Sequence, residues 1–204
     1  MDHPLEISEK DLYELENQLA KRIRELDFTK LGSEPNYNPA LVIKLDGFSF
    51  EGENFYVSLA GSTMTSDNQY GSEPGSGADL AISADIRQGR DFKQKAVLVQ
   101  SKRRQKLQRE KERKRLLEQI RKMKEITPHP KVLLIDEYRE SIPTVQSGTT
   151  LLNGGIPRDF ALHKWLARKF IRTFEGDTRK KVYAAAQNAD LNKIWVKAEF
   201  EPTE

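Results

Sequence analysis

The sequence predicts an α/β (α+β) fold, a central mixed β-sheet flanked by helices. Three observations lead there. Leu12, Leu15, Leu19, Ile23 and Leu26 recur at helical spacing near the N-terminus. Four short runs between Leu41 and Lys102 are rich in β-branched and aromatic residues and are bounded by turn residues. Helical patterns over 105–126 and 159–175 then alternate with further strand-like runs.

The elements follow in order. Residues 8–27 read as a helix, with Ser8 as its cap and Asp11 three residues on. "LGSEPNYNP" breaks it. Leu41–Phe50 and Phe55–Ala60, split by "EGEN", read as a hairpin. "GSTMTSDNQYGSEPGSG" holds only Met64 and Tyr70 as large side chains, so residues 62–77 are expected to be a mobile loop. Leu80–Arg87 and Lys95–Lys102 are two more strands. The helix over 105–126 is polar on every side through "QREKERKR", and Leu116, Ile120 and Met123 then return to one face. "TPHP" stops it. "KVLLID" from Lys131 is a buried-type strand, and "SIPTV" a shorter edge strand. "TLLNGGIP" is a loop. Asp159–Glu175 is a second amphipathic helix, with Phe160, Trp165, Leu166, Phe170 and Phe174 facing the core, and "NKIWVKAEF" is the last strand. Residues 1–204 are read as one domain, its core about 8–136, with 157–200 packed on it.

Composition narrows the chemistry. The chain is 37% hydrophobic and 32% charged, without cysteine, so disulfides and thiolate metal sites are excluded. Its three histidines (His3, His129 and His163) are far apart, which disfavours a histidine-built zinc site, and His129 and His163 read as surface or cap residues. The N-terminal "MDHPLEISEK" lacks the basic-then-apolar order of a secretory leader, so a cytoplasmic location is expected. The net charge of +3 is unevenly spread. Between Lys102 and Glu125 stand twelve Lys/Arg and four Asp/Glu, leaving 22 basic and 27 acidic residues elsewhere. A local positive field of that kind suits a polyanion such as nucleic acid, with Arg103, Arg104, Lys106 and Arg109 as its nearest contacts.

The positive segment begins where "VLVQSK" ends. In a strand, residues two apart share a face, so Gln100 and Lys102 point the same way. Asp79 opens the preceding strand. Antiparallel pairing brings Asp79, Gln100 and Lys102 to one edge of the sheet. A carboxylate, an amide oxygen and the Ser101 backbone carbonyl are hard oxygen ligands that suit Mg²⁺, with Mn²⁺ as an alternative. A lysine beside such an ion can orient a water and offset phosphate charge. A further carboxylate is expected from the first helix. Glu16 flanks the apolar stripe and is the better candidate, with Glu14 as the alternative. Asp85 shares the face of Asp79 but lies farther along and reads as a surface residue.

At these residues the sequence resembles the PD-(D/E)xK, or restriction-endonuclease-like, nuclease superfamily. "GADLAI", a spacer and "VLVQSK" followed by a helix carry the resemblance, in a Q-x-K form in which glutamine replaces the acidic second ligand. "EQIRKMKEITPHPKVLLID" further resembles a segment of small nucleases from bacterial defence and restriction systems, with a weaker echo at "FIRTFEGD". The similarity spans about residues 10–136. It implies a restriction-endonuclease-like sheet and a Mg²⁺-dependent endonuclease acting on DNA. Asp79, Gln100 and Glu16 would be metal ligands and Lys102 the catalytic lysine, and a sensor or regulatory protein of a defence system is a possible partner. Two other functions fit the same residues: an RNA nuclease, and a binding or assembly module with a degraded metal site. Gln100 discriminates. Its oxygen facing Asp79 favours the enzyme, and its amide held by a backbone hydrogen bond favours the module.

Overall fold

The structure, a computed structural model, describes residues 5–32, 36–64, 75–138, 140–172, 175–187 and 190–201. Eight strands form one mixed sheet in the order β1-β2-β8-β3-β4-β5-β6-β7. These are β1 (Phe48–Glu51), β2 (Phe55–Ser62), β3 (Leu80–Gln88), β4 (Asp91–Arg103), β5 (Lys131–Ile135), β6 (Thr144–Ser147), β7 (Phe160–Ala161) and β8 (Asn192–Phe200). β8 runs parallel to β3, and β5 runs parallel to β4. The other strand pairs are antiparallel.

One face of the sheet packs against α1 (Glu9–Arg24), α2 (Tyr37–Leu45) and the short α5 (Leu162–Lys164) with the π-helical stretch Trp165–Ile171 that continues it. The other packs against α3 (Glu110–Ile126), α4 (Gly148–Leu152) and α6 (Lys180–Ala186). The α+β architecture with helices on a mixed sheet is therefore the one expected. Among the described residues no helix is long and apolar enough to cross a membrane.

Most elements match the sequence pattern. In α1, the Ser8 hydroxyl accepts the Asp11 N–H at 3.0 Å, and Leu12, Leu15, Leu19 and Ile23 are buried. The expected strand Leu41–Phe50 is instead split: Leu41–Leu45 ends α2, and β1 starts at Phe48. Pro39 stands in the first turn of that helix, where a missing N–H costs nothing, and Leu41, Val42 and Leu45 share its buried face. Gly47, at φ 68°, turns the chain into β1. The helix expected from 105 starts at Glu110, after a 3₁₀ turn over Arg104–Gln108. The expected loop "TLLNGGIP" opens with α4, and α6 had no counterpart in the sequence reading. The helix expected over Asp159–Glu175 begins with β7 and is partly π-wound. Trp165, Leu166 and Phe170 are buried there, Phe160 is partly buried, and Phe174 lies outside the described residues. Of the expected mobile loop, residues 65–74 likewise lie outside them, while Ser62 belongs to β2. His163 is buried rather than a surface residue, and burial, with the Lys164 and Arg24 charges, pulls its imidazole down to about 4. Asp85, read as a surface residue, is half-buried under α6, where its carboxylate accepts from Tyr183 Oη at 2.9 Å and from Gln94 Nε2 at 3.1 Å.

β5 pairs with β4 only over Val99–Arg103, so the earlier part of that β4 edge is open to another segment. Asp177 fills it, exchanging backbone hydrogen bonds with Ala96 at 2.9 and 3.0 Å. The chain crosses the sheet there. Glu175 accepts from Trp165 Nε1 at 2.9 Å on the first face, and Asp177 accepts from the Thr127 hydroxyl at 2.9 Å at the end of α3 on the second.

The crossing is fixed by Lys95, which is 1% exposed. Its Nζ donates to the carbonyls of Phe170 and Glu175 and lies 4.6 Å from the Phe170 ring centroid. Burial pulls the ammonium down from 10.5 to about 7, the Lys93 charge adds to the shift, and the Glu175 carboxylate opposes it. Between those two values the unfolded chain holds a proton on this group that the native protein has released, so Lys95 makes stability rise with pH in that window. Lys95→Met is expected to be less stable than wild type, since two carbonyls lose their donor. The gap should widen by at most ~1.4 kcal/mol per pH unit between about pH 7 and about pH 9 in denaturant titrations. A gap that is flat with pH would contradict this account.

Candidate functional site

The β3–β4 hairpin brings the expected residues together. Leu80 lies opposite Val99, and the Asp79 N–H donates to the Val99 carbonyl at 3.1 Å, extending the ladder by one residue. The Asp79 carboxylate therefore reaches the next stretch of β4. Its Oδ1 accepts the Ser101 N–H at 3.0 Å, and its Oδ2 accepts from Gln100 Nε2 at 2.6 Å. Gln100 Nε2 also donates to the Ser101 carbonyl at 3.1 Å. The carboxylate, the carboxamide and the backbone carbonyl thus converge on one point. Lys102 stands two residues along β4 on the same face as Gln100.

The setting differs from the expected open edge. β4 is internal to the sheet, with β3 on one side and β5 on the other, so Gln100, Ser101 and Lys102 are buried, while Asp79 is half-buried. Charges here act through a poorly screening interior, which strengthens them and makes substitution more costly than at a rim.

Three further elements hold the hairpin end, and none was visible in the sequence as part of a site. On the opposite face, the Ser101 hydroxyl bonds the Asn38 Oδ1 of α2 at 2.6 Å. Asn192, the first residue of β8, donates from Nδ2 to the Asp79 carbonyl at 3.2 Å. Gly77, two residues before Asp79, has φ 71° and passes so close to α3 that a Cβ there would stand 2.5 Å from the Gln119 carbonyl oxygen. The glycines of this segment read in sequence as a mark of mobility, whereas Gly77 is needed for a tight passage.

The helix carboxylate does not join the set. Glu16 is buried on α1 and ion-paired with Arg168, which also bonds Glu9 at 2.8 Å. Since α1 packs on the sheet face that carries Val97 and Val99, the alternation of β4 turns Gln100 and Lys102 to the other face. Glu14 is exposed and does not replace it.

The expected nucleic-acid contacts also divide. Arg103 is ion-paired with Glu137, donates to the Gly32 carbonyl at 3.3 Å and stacks over Tyr37, with 5.6 Å between guanidinium carbon and ring centroid. Arg104 binds Asp136 and Asp159, each at 3.0 Å, and the Thr144 hydroxyl at 2.7 Å. Both arginines are thus committed to holding the end of β4 against the segments after β5. Lys106 is half-buried, and Arg109 is exposed at the N-cap of α3. The exposed cations continue along α3 as Lys111, Arg113, Arg121 and Lys124.

Among the described residues no group of three or more His, Cys, Asp or Glu side chains is placed to hold a metal ion. The convergence at Asp79 is of another composition: one carboxylate, one amide and one carbonyl. Two of its oxygens, Asp79 Oδ2 and the Ser101 carbonyl, meet on the Gln100 nitrogen, and the set carries fewer negative charges than most sites for a hard cation have. Comparison with family models, with curated proteins and with solved structures gives no match for this chain.

The tight passage at Gly77 yields a test. Gly77→Ala is expected to lose about 2 kcal/mol or more in unfolding free energy, because it combines a left-handed backbone with a clash against helix backbone. Gly75→Ala, with open space around the added carbon, should change little. Equal stabilities for the two variants, in denaturant titrations, would show that α3 does not press on the hairpin as described.

Proposed function

We propose that this chain is a Mg²⁺-dependent phosphodiesterase that cleaves DNA, of the restriction-endonuclease-like kind. The observation that carries the reading is the convergence of Asp79, Gln100 and the Ser101 carbonyl within 2.6–3.1 Å, with Lys102 on the same strand face. Asp79, the Gln100 amide and the Ser101 carbonyl would hold the ion. A bound divalent cation supplies positive charge at a phosphate oxygen and eases deprotonation of a water. Lys102 supplies a fixed positive charge beside that point, in a setting where little water screens it. Its role is to orient the attacking oxygen or to hold the scissile phosphate. The exposed cations of α3 supply the sequence-independent attraction to the rest of the backbone. The resemblance to small defence and restriction nucleases suggests a part in those processes, under control of a sensor or regulatory chain.

A second reading is favoured by one observation. Gln100 turns its nitrogen, not its oxygen, toward Asp79, and the same –NH₂ is bonded to a backbone carbonyl. That arrangement suits a binding or assembly module that keeps the hairpin without hydrolysis.

The two readings part in a cleavage assay on supercoiled plasmid and labelled RNA, with Mg²⁺, with Mn²⁺ or with EDTA. The nuclease reading expects plasmid cleavage that EDTA abolishes. Asp79→Ala and Lys102→Met should each lose about 100-fold or more in rate while remaining folded by circular dichroism. Asp79→Ala should also lose Mg²⁺ binding, whereas Lys102→Met should keep it. Cleavage of RNA alone would move the substrate to RNA. Wild-type rates in both variants would remove the site from the chemistry.

A further inference from the structure

The head of Gln100 stands between two acceptors, Asp79 Oδ2 at 2.6 Å and the Ser101 carbonyl at 3.1 Å. Neither can donate, so the group that faces them is the –NH₂, the donor side of the amide. The bond to Asp79 is charge-assisted and short, and Gln100 is only 3% exposed, so water competes poorly for either partner. The same three groups are the oxygen set of the proposed cation site. Mg²⁺ takes oxygen and not amide nitrogen, so the amide as it stands presents the wrong atom.

We infer that the Gln100 carboxamide is a rotor. Its –NH₂ locks Asp79 when no cation is held, and half a turn about the terminal torsion presents Oε1 beside Asp79 Oδ2 and the Ser101 carbonyl when a divalent cation binds. This rests on the metal-dependent reading above and adds to it a conformational step in this chain's own side chain. The terminal torsion of glutamine is broad and roughly two-fold, so the turn itself carries little strain. What opposes it is the hydrogen bond to Asp79. A glutamate here would offer an oxygen in either orientation but would set two carboxylates against each other before the cation arrives. Glutamine removes that repulsion, and cation affinity falls because the lock must first be released. The second reading above and the nuclease reading then describe two orientations of one side chain.

The test is Mg²⁺ titration of ¹⁵N-labelled protein, with the Gln100 side-chain amide signals assigned by their loss in Gln100→Glu. In wild type those signals should shift with Mg²⁺, and the midpoint should coincide with that of calorimetric binding. Gln100→Glu should bind Mg²⁺ about tenfold tighter or more, since a second carboxylate adds negative charge and no charge-assisted hydrogen bond has to be released. It should also melt below wild type in EDTA and recover more than wild type on adding Mg²⁺. Binding at Asp79 with the Gln100 amide signals unmoved would overturn the rotor and leave the nuclease reading intact. Binding by Gln100→Glu alone would show that the lock does not open, which also overturns the rotor. Absence of Mg²⁺ binding in both proteins would overturn the rotor and the nuclease reading together.

Discussion

The register of β3 on β4 is the constraint on which the rest of the site depends. With Leu80 opposite Val99, the Asp79 N–H meets the Val99 carbonyl and the Asp79 carboxylate meets the Ser101 N–H. A slip of one residue would turn Gln100 and Lys102 toward α1 and α2 and bring Val99 and Ser101 to the α3 face. Burial on both faces forbids that slip. Val97 and Val99 belong to one hydrophobic cluster, while Ala96 and Leu98 belong to the other. The same register sets the neighbours. β8 lies parallel to β3 from Leu80 opposite Asn192, which puts the Asn192 side chain on the Asp79 carbonyl.

β4 also carries two buried lysines on opposite faces of the sheet. Lys95 is held by backbone carbonyls and an aromatic ring where the chain crosses between layers, and its work is structural. Lys102 lies at the other end of the strand, buried on the face that carries Gln100, and it is the lysine to which the proposed reading gives a chemical role. The basic segment divides in a similar way. Arg103 and Arg104 clamp the end of β4 to Glu137, Asp136 and Asp159, while Arg109 and the cations Lys111, Arg113, Arg121 and Lys124 of α3 face outward. A stretch that looks like one uniform patch in sequence thus has an internal part and an external part.

What was legible in the sequence follows from the range of each interaction. The helix α1, the strand β3, the strand at Lys131 and the final strand each follow local periodicity and formed near their expected bounds, while β4 begins at Asp91 rather than at the expected Lys95. So did the shared face of Gln100 and Lys102, which strand geometry alone dictates. The helix over Tyr37–Leu45 was hidden because its β-branched residues and Pro39 resemble a strand after a turn, and tertiary packing of Leu41, Val42 and Leu45 decides otherwise. α6 covers seven residues, too few for periodicity to speak. The position of Glu16 on the rim of an apolar stripe foretold its burial, but its partner Arg168 is 152 residues away and invisible to spacing. The choice of face that separates Glu16 from Gln100 is likewise a property of the layers and not of either segment.

The central claim is that Asp79, Gln100 and the Ser101 carbonyl form a cation site. Anomalous diffraction from crystals grown with Mn²⁺ tests it most directly. The account predicts an anomalous peak about 2.1 Å from Asp79 Oδ2, Gln100 Oε1 and the Ser101 carbonyl oxygen, with the Gln100 nitrogen turned away. Crystals in which the Gln100 nitrogen still bonds Asp79, with no Mn²⁺ peak at that point under conditions that saturate other sites, would contradict it.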